Sequence, residues 1–273
     1  NILAMKCSEF KMPVMGTSPR SIDQCEDRNK FSMLLDRLGI AQPPWNELRS
    51  VPEAVRFANK VGFPVLVRPS YVLSGAAMNV AYDEKSLRTF LQSAADVSAE
   101  HPVVISKFIQ NAKELEIDAV AQNGRIVLYA ITEHIENAGV HSGDATVVMP
   151  AQRIYVETMR RIRYISQMIA SELKITGPFN IQFLAKRNSI EVIECNVRAS
   201  RSFPFVSKVM KRNFIEVAID CIDSKKAIPR IPVHYDYSYV GVKAPQFSFT
   251  RFTGADPLLR VEMSSTGEVA TLG

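Results

Sequence analysis

Hydrophobic and polar positions change period several times along the chain, and each change marks an element. Phe31, Leu34, Leu35 and Leu38 form one apolar stripe at helical spacing, with Asp23 as cap, Glu26 and Asp27 in the first turn, and Gly39 as the stop. Ser50-Val51-Pro52-Glu53 reads as a capping box opening a second helix that carries Ala54, Phe57 and Val61 and ends at Gly62. Pro64 to Arg68 reads as a buried strand, Ser70 to Gly75 as a loop, and Ala77 to Tyr82 as the returning strand of a hairpin flap. Asp83 caps a further helix bearing Leu87, Phe90, Leu91 and Ala94, and Val103 to Lys107 forms another strand.

Beyond Ile109 the period shortens to two. Glu114, Glu116 and Asp118 alternate with Leu115, Ile117 and Ala119, and Gln122-Asn123-Gly124 is a hairpin turn into Ile126 to Ile131. Ala145 to Met149 adds a strand, and a long helix from Tyr155 to Leu173 aligns Met159, Ile162, Ile165 and Ile169. A strand pair follows, Gly177 to Phe183 and Ile190 to Asn196, then a helix over Asn213 to Cys221, a Pro-rich stretch after Ala227, and a last strand near Val240 to Lys243. The class is α+β, with two antiparallel sheets and no internal repeat.

The strand pair carries the chemistry. In Val192-Ile193-Glu194-Cys195-Asn196, strict alternation sends Val192, Glu194 and Asn196 one way and Ile193 and Cys195 the other. Gln182 arrives from the neighbouring strand, and Arg198 and Arg201 follow where the second strand runs out. Magnesium takes oxygen donors, keeps waters, and is completed by substrate phosphates. One carboxylate and two amides suit it, and the arginines add an anion clamp. An isolated Glu-x-Asn is more often the solvent face of an edge strand; the neighbouring arginines favour a site. Cys195, between the two ligands, reads as core packing.

These residues, with Gly16-Thr17-Ser18-Pro19, Glu26-Asp27-Arg28, Arg68 to Gly75, Gly139-Val140-His141-Ser142-Gly143-Asp144, Ser202 to Lys208 and Met263 to Val269, resemble the ATP-grasp fold and, within it, the large chain of carbamoyl-phosphate synthetases. The wording of Arg68 to Gly75 and of Phe203 to Lys208 is similar to the second, carbamate-phosphorylating half. The resemblance implies ATP and two magnesium or manganese ions, with Gln182, Glu194 and Asn196 on the metals. It implies Arg198, Arg201 and Asn196 as the catalytic set, and Arg28, Arg68 and Lys107 near the phosphates. Ile109 would border the adenine and Glu114 the ribose hydroxyls; Gly139, Val140, His141 and Ser142 would line the ATP pocket, and Gly75 belongs to a loop closing over the phosphates. It also implies residues 1–22 as the tail of a preceding domain, 23–108 as a lid subdomain and 109–273 as a large subdomain. Carbamate would be the co-substrate, and a first synthetase half and a glutaminase unit the partners.

Composition narrows the alternatives. Hydrophobic residues make up 47% and charged residues 22%, an ordinary globular balance with a substantial core. The net charge of +5 is scattered, with Arg160, Arg161 and Arg163 as its tight cluster, so a solvated helix face explains it better than nucleic acid. Cys7, Cys25, Cys195 and Cys221 make no C-x-x-C pair, which favours free thiols in a reducing compartment, and the resemblance implies the cytoplasm or the mitochondrial matrix. No apolar run approaches a membrane span, and the start at Asn1 suggests a piece of a longer chain. No G-x-G-x-x-G or G-x-x-x-x-G-K-[ST] is present, so dinucleotide and P-loop readings lose their main support. The expected function is phosphorylation of carbamate to carbamoyl phosphate for pyrimidine or arginine synthesis. A bicarbonate-phosphorylating half and a non-catalytic ATP-binding regulatory module are the alternatives.

Overall fold

The computed structural model describes residues 2–48, 50–69, 78–97, 103–223, 237–245 and 270–272. Its strands make two antiparallel sheets. The smaller, in order β1-β4-β2-β3, contains β1 (Trp45–Leu48), β2 (Val65–Pro69), β3 (Asn79–Ala81) and β4 (Val103–Lys107). The larger, in order β11-β10-β7-β6-β5-β8-β9, contains β5 (Lys113–Gln122), β6 (Arg125–Asn137), β7 (Val147–Met149), β8 (Gly177–Lys186), β9 (Ser189–Asn196), β10 (Gly241–Pro245) and β11 (Ala270–Leu272). Among the helices are α1 (Ile2–Glu9), α2 (Pro19–Glu26), α3 (Arg28–Arg37), α4 (Val51–Val61), α5 (Glu84–Val97), α6 (Val156–Glu172), α7 (Phe203–Met210) and α8 (Phe214–Ile222).

Each sheet buries an apolar face against helices. On the smaller one, Val65, Val67 and Ile105 pack against Ala54 and Ala58 of α4 and Leu87 and Leu91 of α5. On the larger one, the inward rungs of β5 and β8 (Leu115, Ile117, Ala119, Phe179, Ile181, Phe183) meet Ile162, Ile165 and Ile169 of α6. Phe31, Leu34 and Leu35 of α3 complete this core, so the early helices belong to the large sheet's packing. On the opposite face, Val120, Leu128 and Ala130 are covered by α7 and α8, where Phe203 and Phe214 meet edge to face at 5.5 Å.

Local chemistry corrects several expectations. The acidic run before the Phe31 stripe is a junction between two helices: Ser18 caps α2, and Asp27 caps α3 by accepting from Lys30 N at 3.0 Å. Asp23 lies inside α2 and pairs with Lys30 Nζ at 2.6 Å instead of capping. Ser50 is at the N-cap of α4, but its side chain makes no capping bond. The cap at Asp83 does form, accepting from Ser86 N at 2.7 Å.

The facing of β9 also differs. A bulge between Gln182 and Phe183 pairs Gln182 with Glu194 but Phe183 with Val192, leaving Ile193 as the extra residue. Val192 therefore joins Phe183 and Cys195 in the core, while Ile193 packs with Leu184 and Ala138 on the other face. Strict alternation puts Val192 with Glu194; the bulge reverses that while keeping Glu194 and Asn196 together. The loop Ser70 to Gly75, the Pro-rich stretch 224–236 and the motif Met263 to Val269 lie outside the described residues.

The β5–β6 hairpin turns through Asn123 (φ 50°) and Gly124 (φ 80°), as a two-residue turn between twisted strands requires. A Cβ on Gly124 would sit 2.9 Å from the backbone oxygen of Ala170. Gly124→Ala is expected to destabilise the fold by about 1 kcal/mol or more in urea unfolding. Phe179→Ala, in the fully buried core, is expected to cost about 3–5 kcal/mol in the same assay.

Candidate functional site

A cleft of about 430 Å³ opens between the two sheets. Its lining includes Gln182, Glu194, Asn196, Arg198 and Arg201 from the β8–β9 region, and Arg68 and Lys107 from the small sheet. Arg28, Ile109, Glu114 and the turn Gly139 to Ser142 line it too, so every site residue read from the sequence and described here borders one space. The register explains the convergence: Gln182 faces Glu194 across the β8–β9 ladder, and Asn180 faces Asn196.

The amide groups are oriented by their own hydrogen bonds. Gln182 Nε2 donates to Glu116 Oε1 at 3.2 Å, and Asn196 Nδ2 donates to Glu194 Oε1 at 2.9 Å. Each amide is left with its carbonyl oxygen for a cation, beside the Glu194 carboxylate. Arg28 Nη1 stands 3.7 Å from Glu194 Oε2, a positive neighbour on the cleft wall. That all-oxygen donor set fits a hard cation such as magnesium.

Arg68 is the group most visibly awaiting a partner. It is buried, its Nη2 donates to Ser106 at 3.3 Å, and its Nε has no hydrogen-bond partner among the described residues. Burial, reinforced by Arg28, pulls its guanidinium down to about 9, with Glu194 opposing. A phosphate would satisfy Nε and relieve that penalty, so the cleft fits a nucleotide's phosphate chain. Lys107 is placed differently: it lines the cleft, but its Nζ donates to Gly62 O at 2.8 Å and Phe63 O at 2.9 Å, at the end of α4. His141 accepts from Gly143 N at 3.1 Å, which tightens its turn.

A buried acidic layer forms part of the cleft wall through Glu114 and Glu116 and continues behind it at Asp118. Glu114, Glu116 and Asp118 alternate along β5 and are 6%, 4% and 0% exposed. His134 of β6 stands 3.1 Å from Glu116 and 4.0 Å from Glu114. Burial alone would lower the His134 pKa, but Glu114 and Glu116 outweigh it and lift it to about 9. Burial raises Glu114 to about 7, with His134 opposing. For Glu116 the bonds to His134 and Asn180 overcome burial and hold it below the usual range. The ligand atoms of this trio lie within 4.8 Å of one another, close enough for a metal. A protonated imidazole repels a cation, so the charges oppose that use.

Glu116, Asp118, His134, Asn180, Trp45 and Lys243 are cleft or near-cleft groups to which sequence reading assigned no function. The alternation of Glu116 and Asp118 was visible, but only burial distinguishes such carboxylates from a solvent face. Lys243, an isolated strand lysine, is buried with its Nζ donating to Ser142 O at 3.1 Å, and nothing in its neighbours flags it.

Comparison with known proteins places this geometry. Among solved structures, the biotin carboxylase domain of a 2-oxoglutarate carboxylase from Hydrogenobacter thermophilus superposes with a TM-score of 0.75 at 17% identity, covering 89% of this chain and 55% of that one. N5-carboxyaminoimidazole synthase from Aspergillus clavatus gives 0.73 at 13% identity, covering 90% and 62%. The fold is ATP-grasp, of the biotin-carboxylase kind. A family model described as carbamoyl-phosphate synthase L chain, ATP binding domain, matches residues 27–222, and the chain belongs to that family. It is 60% identical over its whole length to the multifunctional protein pyr1-3 of Dictyostelium discoideum and 58% to pyrABCN of Emericella nidulans, spanning 12% of each. It is 53% identical to an arginine-specific mitochondrial carbamoyl phosphate synthase large chain of Schizosaccharomyces pombe, spanning 24% of it. No described helix is long and apolar enough to cross a membrane.

Two measurements check this site. Trp45, the chain's single tryptophan, lines the cleft, so magnesium–ATP is expected to change its emission, whereas magnesium–ATP added to an Arg68→Ala variant is expected to change it only at much higher concentration. His134 is protonated more readily in the folded protein than in the unfolded one, so its stabilisation is complete below pH 6.5 and lost as pH rises through about 9. The loss is on the order of 3 kcal/mol, measured by urea unfolding across that range, and His134→Gln is expected to flatten the profile.

Proposed function

We propose that this chain is the carbamate-phosphorylating ATP-grasp half of a carbamoyl-phosphate synthetase, catalysing ATP + carbamate to ADP + carbamoyl phosphate. The observation that carries the reading is the gathering of Gln182, Glu194, Asn196, Arg198 and Arg201 around one cleft with Arg68, whose Nε has no partner among the described residues. Motif wording at Arg68 to Gly75 and Phe203 to Lys208 supports the carbamate half over the bicarbonate half.

The obstacle to the reaction is charge. A carbamate oxygen must form a bond to the terminal phosphorus while the bond from that phosphorus to the ADP oxygen breaks, and both partners are anionic. Arg68 and Arg28 hold the phosphate chain; Arg198 and Arg201 hold carbamate and the moving phosphoryl group in line. Gln182, Glu194 and Asn196 would hold magnesium or manganese, which supplies charge neutralisation of the phosphate oxygens. Carbamate is already nucleophilic, so no side chain need act as a strong base; His141 lines the pocket and orients its turn. Glu114 accepts the ribose hydroxyls, and Ile109 borders the base beside Phe108.

The relatives' names support a place in pyrimidine or arginine synthesis, in cytoplasm or mitochondria. Carbamate would arrive from a first synthetase half, itself supplied by a glutaminase unit. The test is synthesis of ATP from ADP and carbamoyl phosphate by the intact enzyme. Wild type is expected to make ATP, and Glu194→Ala to lower the rate by about a hundredfold or more. Bicarbonate-dependent ATP cleavage by this half, without ATP synthesis from carbamoyl phosphate, would assign it to the bicarbonate step. Magnesium-dependent ATP binding with neither reaction would make it a regulatory module.

A further inference from the structure

The loop between β9 and α7, residues 197–202, carries Arg198 and Arg201 into the cleft, yet both side chains are exposed. A flexible guanidinium on a loose loop is a poor clamp, because orienting it costs entropy at each turnover. The loop is held from behind by Asp118. This carboxylate is wholly buried at the middle of β5, and no salt bridge reaches it among the described residues. The three hydrogen bonds it accepts among the described residues come from neutral donors. Oδ1 accepts from Asn180 Nδ2 at 2.9 Å and from Ser200 Oγ at 2.5 Å, and Oδ2 accepts from Ser202 Oγ at 2.5 Å. Ser200 and Ser202 are the two residues flanking Arg201.

Ser202 supplies an independent sign that this arrangement serves the loop. It stands at the N-cap of α7, where a serine ordinarily accepts from the helix's free amides. Ser18 and Asn213 do so at α2 and α8. Ser202 makes no such bond, and its hydroxyl is turned to Asp118 instead. A missing cap alone is not diagnostic, since Ser50 at α4 also makes none, but here the hydroxyl is committed with Ser200 to one buried anion.

We propose that Asp118 is a positioning residue: through Ser200 and Ser202 it fixes the loop so that Arg201, and with it Arg198, meets the anionic co-substrate in one geometry. The inference rests on the reading of Arg198 and Arg201 as the clamp for carbamate and the transferred phosphoryl group. The same network ties the clamp to the metal side, since Asn180 also donates to Glu116 at 3.3 Å, and Glu116 accepts from Gln182. The small acyl anion therefore meets a rigid receptor, while the nucleotide is held by Arg68 and the opposite sheet.

The test uses the intact enzyme with Ser200→Ala, Ser202→Ala, their double variant, Ser200→Thr and Asp118→Asn. ATP synthesis from ADP and carbamoyl phosphate is measured, with separate KM values for the two substrates. Hydrogen exchange is followed over residues 197–203. The double alanine variant is expected to raise the KM for carbamoyl phosphate by about ten- to hundredfold and leave that for ADP within about twofold. Its loop should exchange faster, and Ser200→Thr should return to near wild type because the hydroxyl is restored. An unchanged KM for carbamoyl phosphate, an equal rise for ADP, or unchanged exchange in the loop would overturn the assignment. Should Asp118→Asn fail to fold, the serine variants decide. If wild type instead uses bicarbonate, the functional reading fails, and the same variants are then judged on the KM for bicarbonate.

Discussion

Glu114, Glu116 and Asp118 project from one face of β5 into an interior where an unpaired carboxylate would cost several kcal/mol. The other face of the same strand is Leu115, Ile117 and Ala119, locked into the main core. A slip of one residue would bury the acids in hydrocarbon, so the register of the central sheet is tied to the satisfaction of these three groups. They are met by a shared set of neighbours: His134 from β6 beside Glu114 and Glu116, Asn180 and Gln182 from β8 on Glu116 and Asp118, and two serines from the loop beyond β9 on Asp118. The polar wall of the cleft is the outer surface of that settlement.

From this layer outward, charge alternates in sign. Buried carboxylates hold amides and serines, which orient Gln182 and the arginine loop, and Glu194 faces Arg28 and Arg68 at the cleft. Under the proposed function, such an arrangement would accept a cation beside Glu194 and a polyanion against the guanidinium groups at the same time. Preorganisation of this kind places the electrostatic work in the folded protein and leaves little to rearrange when substrate arrives.

Much of this was legible in the chain. The period of two in Glu114 to Ala119 and the Asn123-Gly124 turn placed β5 and β6, and the apolar stripe of Met159 to Ile169 placed α6. The convergence of Gln182 with Glu194 and Asn196 was legible from two adjacent strands, though the pairing of Gln182 with Glu194 needs the bulge, and Arg198 and Arg201 followed from their place beyond the strand end. Three kinds of fact were hidden. A bulge leaves no mark in a string such as Val192-Ile193-Glu194, because it depends on the partner strand. A cap changes owner without changing composition, which is why Asp23 was read for Ser18 and Asp27. Burial of polar groups such as Asp118, His134 and Lys243 is a tertiary outcome that a local pattern does not encode.

The proposed function requires that one cation-binding corner and one guanidinium pair share a single nucleotide cleft. A crystal structure of the intact enzyme with manganese and a non-hydrolysable ATP analogue tests it most directly through the metal's anomalous signal. Metal is expected at bonding distance from Glu194, Asn196 and Gln182 oxygens, with Arg68 on the phosphate chain. Metal seated on Glu114, Glu116 and His134, or a nucleotide bound away from the β8–β9 wall, would contradict it.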